Sequence, residues 1–264
     1  MSASTVSNIT KSLSLISGIL LLGGCVFHVS PSVASVKQTQ QLTLPSNNLE
    51  YLNVLSGAGS LEIKGSQTAT SIVVDAIIYT TDIDDEYELT LEQNGKQAEL
   101  VAKNNNGFGF YSRQSPSINL VVTLPNTLDL DINDGSGDII IEAMQSNIDV
   151  KDGSGSITIN SAKNINIDDG SGDINIAGVL GNIKISDDSG SITVRNVAGN
   201  MTIEDDSGDI TLTNISGSVN IDDNSGSISV KQLGSYLTIE DGSGDIYVEQ
   251  VNGLVIIEDG SGSI

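Results

Sequence analysis

The stretch Asn133–Glu142, NDGSGDIIIE, decides how the rest of the chain is read, because its core returns at a fixed interval up to Ile264. The Ser-Gly pairs fall at Ser136, Ser154, Ser171, Ser189, Ser207, Ser225, Ser243 and Ser261, so the spacing is 18, then 17, then 18 five times. A period of this length marks a stacked repeat: one unit cannot bury its apolar edge alone, but a pile of units can.

Within a unit, Ile192 and Val194 alternate, an apolar residue recurs at Val197, and alternation resumes at Met201 and Ile203 after a Gly199-Asn200 corner. Two bursts of period-two alternation describe two short strands and two turns per repeat. No helical periodicity occurs from Asp134 to Ile264. Stacking would bring Ile139, Ile157, Ile174, Ile192, Ile210, Ile228 and Ile246 into one inward ladder. The expected fold is therefore all-β, a parallel right-handed β-solenoid of about 18-residue Ser-Gly-[Asp/Ser]-Ile repeats, with eight rungs spanning roughly 35–40 Å.

The glycines suit a corner that needs positive φ or close backbone approach. Two residues before each Ser stand Asp134, Asp152, Asp169, Asp187, Asp205, Asp223, Asp241 and Asp259, where a short carboxylate can cap the turn's own amides. The residue after each Ser-Gly alternates strictly: Asp138, Ser156, Asp173, Ser191, Asp209, Ser227, Asp245, Ser263. Either an 18-residue rung interleaves carboxylates with hydroxyls in one column, or the true coil has 36 residues and two different corners.

The composition agrees with a thin core. Of 264 residues 38% are apolar but only 3% aromatic, and 28 are Gly, so Ile, Val and Leu must fill the interior. A net charge of −23 argues against nucleic acid as a partner, since a polyanion would be repelled. Cations, basic proteins or plain solvation remain.

The only cysteine, Cys25, follows SLSLISGILLLGG, with Lys11 ahead of an apolar run from Leu13 to Leu22. That run is short for a transmembrane span and fits an export signal. Leu22-Gly23-Gly24-Cys25 resembles a bacterial lipobox, which implies lipidation of Cys25 and attachment to a membrane through the lipid. Val26 stands where an Asp would signal inner-membrane retention, so the resemblance implies the outer membrane. The expected organisation is a signal at 1–25, a polar tether at 26–38 and one solenoid domain at 39–264, irregular over 39–130 and regular over 131–264.

In the irregular part, LNVLSGAGSLEIKG, SIVVDAIIYTT, YELTLEQNGKQAELVAKN with its hairpin-like Asn94-Gly95, and SINLVVTLPNTLDLDIN read as strands. They are expected to form a degenerate start of the same solenoid that caps its N-terminal end. Asp82 to Glu88 reads as an acidic loop. The loop Asn104–Ser117 carries Phe108, Phe110 and Tyr111, which serve either as a contact tip or as a plug over the open end of the core. An uncovered last rung would invite end-to-end association of copies.

LNVLSGAGSLEIKG near the start, INLVVTLPNTLDLDINDGSGDI with its Leu124-Pro125, and the alternating SGDI and SGSI units beyond resemble the bacterial family of putative adhesins with β-strand repeats, a domain of unknown function, over roughly Leu42 to Ile264. The resemblance implies a β-helical fold and hands over no catalytic residue. Calcium is the sharpest chemical alternative, because stacked carboxylates suit a hard cation. However, Ser136 occupies the place where an EF-hand loop needs Gly. The calcium β-roll sets its Asp two residues after the second Gly, whereas Asp138 follows Gly137 directly. Weak calcium binding along the Asp134–Asp259 column is the remaining form of that idea; no other cofactor is expected.

An enzyme is not expected either. Carbohydrate-cleaving β-helices gather unlike carboxylates once, in a groove, whereas these recur evenly. The GSG serines lack a strand-to-helix elbow and a histidine to activate them, His28 lying only three residues beyond Cys25. The sequence therefore points to a non-enzymatic envelope lipoprotein, an adhesin or surface scaffold contacting a protein or glycan, or else a periplasm-facing structural or regulatory partner.

Overall fold

A computed structural model describes residues 36–80, 86–104 and 116–264, and these form strands without any helix. The strands make two 11-stranded sheets whose apolar faces meet in one continuous core. Eight strands precede the regular stack or begin it: β1 (Val36–Pro45), β2 (Tyr51–Ala58), β3 (Leu61–Ser66), β4 (Ser71–Thr80), β5 (Tyr87–Asn94), β6 (Gln97–Asn104), β7 (Ser117–Pro125) and β8 (Asp129–Ser136). With β9 (Ile139–Glu142) the repeat is established, and every later rung lays one strand in each sheet: the first sheet holds β1, β3, β4, β7, β9 and strands such as Ile192–Val197, the second β2, β5, β6, β8 and strands such as Met201–Asp205.

The rung Ile192–Val197 and Met201–Asp205 is representative. Ile192 lies opposite Ile174 on one side and Ile210 on the other, in parallel register. The whole ladder from Ile139 to Ile246 is at most 4% exposed, as the alternation predicts. Because each Ile pairs with the Ile of the very next unit, the coil has 18 residues, and the 36-residue alternative falls.

Two irregularities have local causes. Val197 follows Val194 by three positions yet also faces inward, because Asn196 has φ 59° and turns the chain by one extra step. Asn214, Gln232 and Gln250 repeat that left-handed conformation, which Asn tolerates better than most side chains. The single 17-residue interval is absorbed between Ala162 and Ile165, where two residues make the corner that takes three between Val197 and Met201. The Ser-Gly corner keeps its length.

That corner is fixed by close approach. Gly190 has φ +142°, and a Cβ there would overlap the carbonyl of Gly172 one rung before it. The amide of Gly190 donates to the carbonyl of Ser207 in the next rung, so the glycine backbones stack directly on one another.

The N-terminal part departs from the expected degenerate solenoid. β2–β3 and β6–β7 are parallel rungs, but β1, β4 and β5 run antiparallel to their neighbours. The order is also permuted: β2–β3 lies between β6–β7 and β8–β9. The chain thus completes one rung, climbs away through β4 and β5, returns as β6–β7, and crosses that first rung to begin the repeats. Antiparallel return is possible here because a two-residue turn closes β5–β6. Asn94 pairs with Gln97, so the turn residues are Gly95 and Lys96 rather than Asn94 and Gly95, and Gly95 takes the positive φ of 63°. At the far end of this part the Tyr87 hydroxyl of β5 donates to Gln38 of β1, tying the two sheets together. At the opposite end, Leu254, Val255 and Ile256 of the last rung are exposed.

Candidate functional site

Each rung offers two corners and two outward faces. The corner from the second sheet into the first carries the aspartates that precede Ser-Gly. Their Oδ1 atoms accept the amide of the serine two residues on, at 3.2 Å for Asp187–Ser189 and Asp205–Ser207 and 3.0 Å for Asp223–Ser225 and Asp241–Ser243. This is the turn-capping role anticipated from the spacing.

Their location is the surprise. Asp134, Asp152, Asp169, Asp187, Asp205, Asp223 and Asp241 are only 1–7% exposed, and Asp259, in the last rung, is half-buried. The column expected as a surface for weak calcium binding is therefore internal. The reason is the pleat: Met201 and Ile203 face inward, and Asp205, two positions on, must do the same. Burial in turn pushes the carboxyls up, Asp169 and Asp205 to about 7 and Asp152, Asp187 and Asp223 to about 6, with the serine amides pulling the other way. Among the described residues no group of three or more His, Cys, Asp or Glu side chains is arranged to hold a metal ion.

The alternating residue after Ser-Gly stands outside. The amides of Ser156, Ser191, Ser227 and Ser263 donate to Oδ1 of Asp138, Asp173, Asp209 and Asp245 in the preceding rung, at 2.9–3.1 Å. Alternation thus gives each carboxylate a serine amide to accept and keeps like charges two strand spacings apart. The pattern continues into the first rung, where the Ser60 amide donates to Asn119 Oδ1.

The opposite corner holds a second polar ladder. The Asn147 amide donates to Asp129, Asn182 to Asn164, Asn200 to Asn182 and Ser218 to Asn200, each at 2.8–2.9 Å to a side-chain oxygen. This column was missed in the sequence, although Asn147, Asn164, Asn182 and Asn200 recur there at nearly the repeat interval. It lines an open groove of about 640 Å³ shared with Lys184 and Thr202.

The outward faces differ in charge. Over the repeats the first sheet presents Glu142, Arg195, Lys231 and Glu249, two acids and two bases. The second sheet presents Asp131, Asp149, Asp168, Glu204, Asp222, Glu240 and Glu258 against Lys151 and Lys184. Glu204, Asp222, Glu240 and Glu258 stack in consecutive rungs, so the acidity is concentrated on one side of the rod. Cys25, Phe108, Phe110 and Tyr111, the expected lipidation site and contact loop, lie outside the described residues, as do most of the tether and His28.

No curated protein matches the sequence. Among solved structures, a "putative lipid binding protein" from Parabacteroides distasonis is 18% identical with a TM-score of 0.51, over 86% of this chain and 95% of the other. A "putative adhesin" from the same organism is 16% identical with a TM-score of 0.46, over 84% and 94%. A "putative cell adhesion protein" from Clostridium sporogenes is 14% identical with a TM-score of 0.36, over 84% and 99%. At these identities the first comparison speaks to the fold alone. Residues 76–257 match the family described as Toastrack DUF4097, which is most of the chain and nearly all of its repeats, so the protein belongs to that family.

Proposed function

We propose that the protein is a non-enzymatic cell-envelope lipoprotein, held through Cys25 to the outer membrane, whose rod presents a repetitive acidic face to a protein or glycan partner. The observation that carries this reading is the even distribution of polar chemistry. The Asp, Ser and Asn residues at the corners recur in every rung or every second one, and those at the core of the stack are engaged in capping their own turn or the next rung, as Asp187 and Asn182 are. Catalysis needs unlike groups converging on one substrate atom, and such a gathering is foreign to this design. An extended face of equal rungs suits avidity, in which many weak contacts sum along a ligand. The names carried by the structural relatives, adhesin and lipid binding protein, are in keeping with a binding role.

The lipobox Leu22-Gly23-Gly24-Cys25 and the charge of the second sheet supply the anchor and the solvated outer surface. The test is protease shaving of intact producing cells, with a periplasmic protein as control. Loss of the repeats while the control survives supports surface display and adhesion. Protection until the outer membrane is opened overturns the adhesin role and gives the rod a periplasmic partner instead. Substitution Cys25→Ala is expected to release the chain from the membrane fraction.

A further inference from the structure

The interior of the rod carries a feature that a binding role does not use. From Asp134 to Asp241 the inward aspartates pair in register with one another, rung on rung, so their carboxyls form a single file about 4.8 Å apart. From Asp152 to Asp241 one oxygen of each caps the turn. The other, Oδ2 of Asp152, Asp169, Asp187, Asp205, Asp223 and Asp241, is buried and has no hydrogen-bond partner. A buried anionic oxygen without a partner is costly, and a file of them repels itself; the same oxygen carrying a proton is neutral and removes both penalties.

The groups facing the file do not relieve it. Along the same strands the outward residues next to the file are Lys151, Asp168, Ser186, Glu204, Asp222 and Glu240; the two cations of these strands are Lys151 at one end and Lys184, which stands one outward position further from the file and pairs with Glu204 at 3.9 Å. Asp188 and Asp206 follow in the turn, and Asp138, Asp173, Asp209 and Asp245 stand across the corner at the head of the first sheet's strands. Ser56 pairs with Asp134 at the start of the column. At the other end, the cleft beside Asp223 and Asp241 is lined by Asp222, Glu240 and Glu258 and by no base.

We infer that the internal aspartate file is a proton-binding column: it loads with protons as the surroundings fall from mildly alkaline to mildly acidic, and the loaded rod is the more stable one. The direction follows from linkage. Burial, the largest cause at each group, raises every carboxyl from Asp134 to Asp241 above its ordinary 3.8, to about 7 for Asp169 and Asp205 and to about 6 for Asp152, Asp187 and Asp223. The native chain therefore holds more protons than the unfolded chain between about pH 4 and 7, and stability falls as pH rises through that window. This is opposite to a salt-bridged aspartate, whose stabilisation is lost on acidification.

The test is the thermal midpoint of the full chain at fixed ionic strength, at pH 5 and pH 8, for the native sequence and for Asp187→Asn/Asp205→Asn. Asn keeps the oxygen that caps the turn and replaces the troublesome one by a neutral amide. The native chain should melt higher at pH 5 than at pH 8 by roughly 5 °C or more. The double variant should gain at pH 8 and lose much of the pH dependence, while the surface control Asp222→Asn/Glu240→Gln keeps it. Equal loss at both pH values, with the dependence unchanged, overturns the proposal. So does a gain at pH 8 from calcium chloride that a chelator reverses and the double variant lacks, since the file is then a cation site. Should the double variant not fold, carboxyl-carbon NMR of the native chain decides: titration of buried carboxyls above pH 5 supports the column, and titration of every carboxyl near pH 4 refutes it.

Discussion

The two ends of the chain solve the same packing problem with opposite grammar. From β8 onward each rung repeats the last, all strand pairs are parallel, and every corner is reinforced by the rungs on either side. Before β8 all strands but β3 are longer than those that follow β8, directions are mixed, and the rung that comes first in sequence is not at the end of the stack. The regular part derives its cohesion from neighbour-to-neighbour contacts, which is the near one-dimensional behaviour of solenoids. The N-terminal part ends the two sheets on antiparallel β1 and β5, which Tyr87 and Gln38 tie to each other, rather than on a bare parallel rung. Repetition builds length, and its absence builds an end.

Substitutions can break this contrast. The largest effect is expected for Ile192→Asp, which buries an unpaired charge in the ladder between Ile174 and Ile210 and should cost more than about 4 kcal/mol in denaturant unfolding. Retention of native stability by that variant would refute the inward ladder. Next comes a matched pair of glycines. Gly190→Ala places a methyl on the Gly172 backbone at positive φ and should cost more than about 2 kcal/mol. Gly95→Ala, at the β5–β6 turn where a Cβ meets open space, should cost only about 1 kcal/mol. Equal costs would mean that rung stacking does not restrict the corner. Asn182→Ala removes the acceptor of the Asn200 amide and should cost about 1 kcal/mol, read in the same unfolding experiment. Smallest is Lys96→Ala, which loses an exposed pairing with Glu50 and should leave the unfolding midpoint unchanged.

What the sequence made legible follows the same divide. The period of Ser136 to Ser261 was enough to find the ladder, the two strands per rung and the capping of Ser189 by Asp187, because identical units must meet identical neighbours. The inward direction of Asp187 was legible in principle, two positions after Ile185 in the same strand, but the habit of placing carboxylates in water hid it. The asparagine ladder was hidden by its chemistry: Asn200 beside Gly199 reads as a turn, and nothing local says that its side chain reaches the next rung. The permuted order of β2–β3 and β6–β7 left no trace in spacing, since strand direction and sheet order depend on pairing partners distant in sequence.

The shortened corner at Lys163-Asn164 has a consequence for how such a chain can change. A residue was dropped there, and Ile157 still pairs with Ile174 and Ile165 with Ile183, so the slip was healed within half a turn of the coil. The glycine corner on the other side has no such latitude, because Gly190 rests directly on Gly172. One side of the rod therefore tolerates small edits while the other acts as a fixed spine. Duplication of a whole unit, such as 192–209, disturbs neither and would lengthen the rod by about 4.8 Å. Reach is the property that this architecture leaves free to vary.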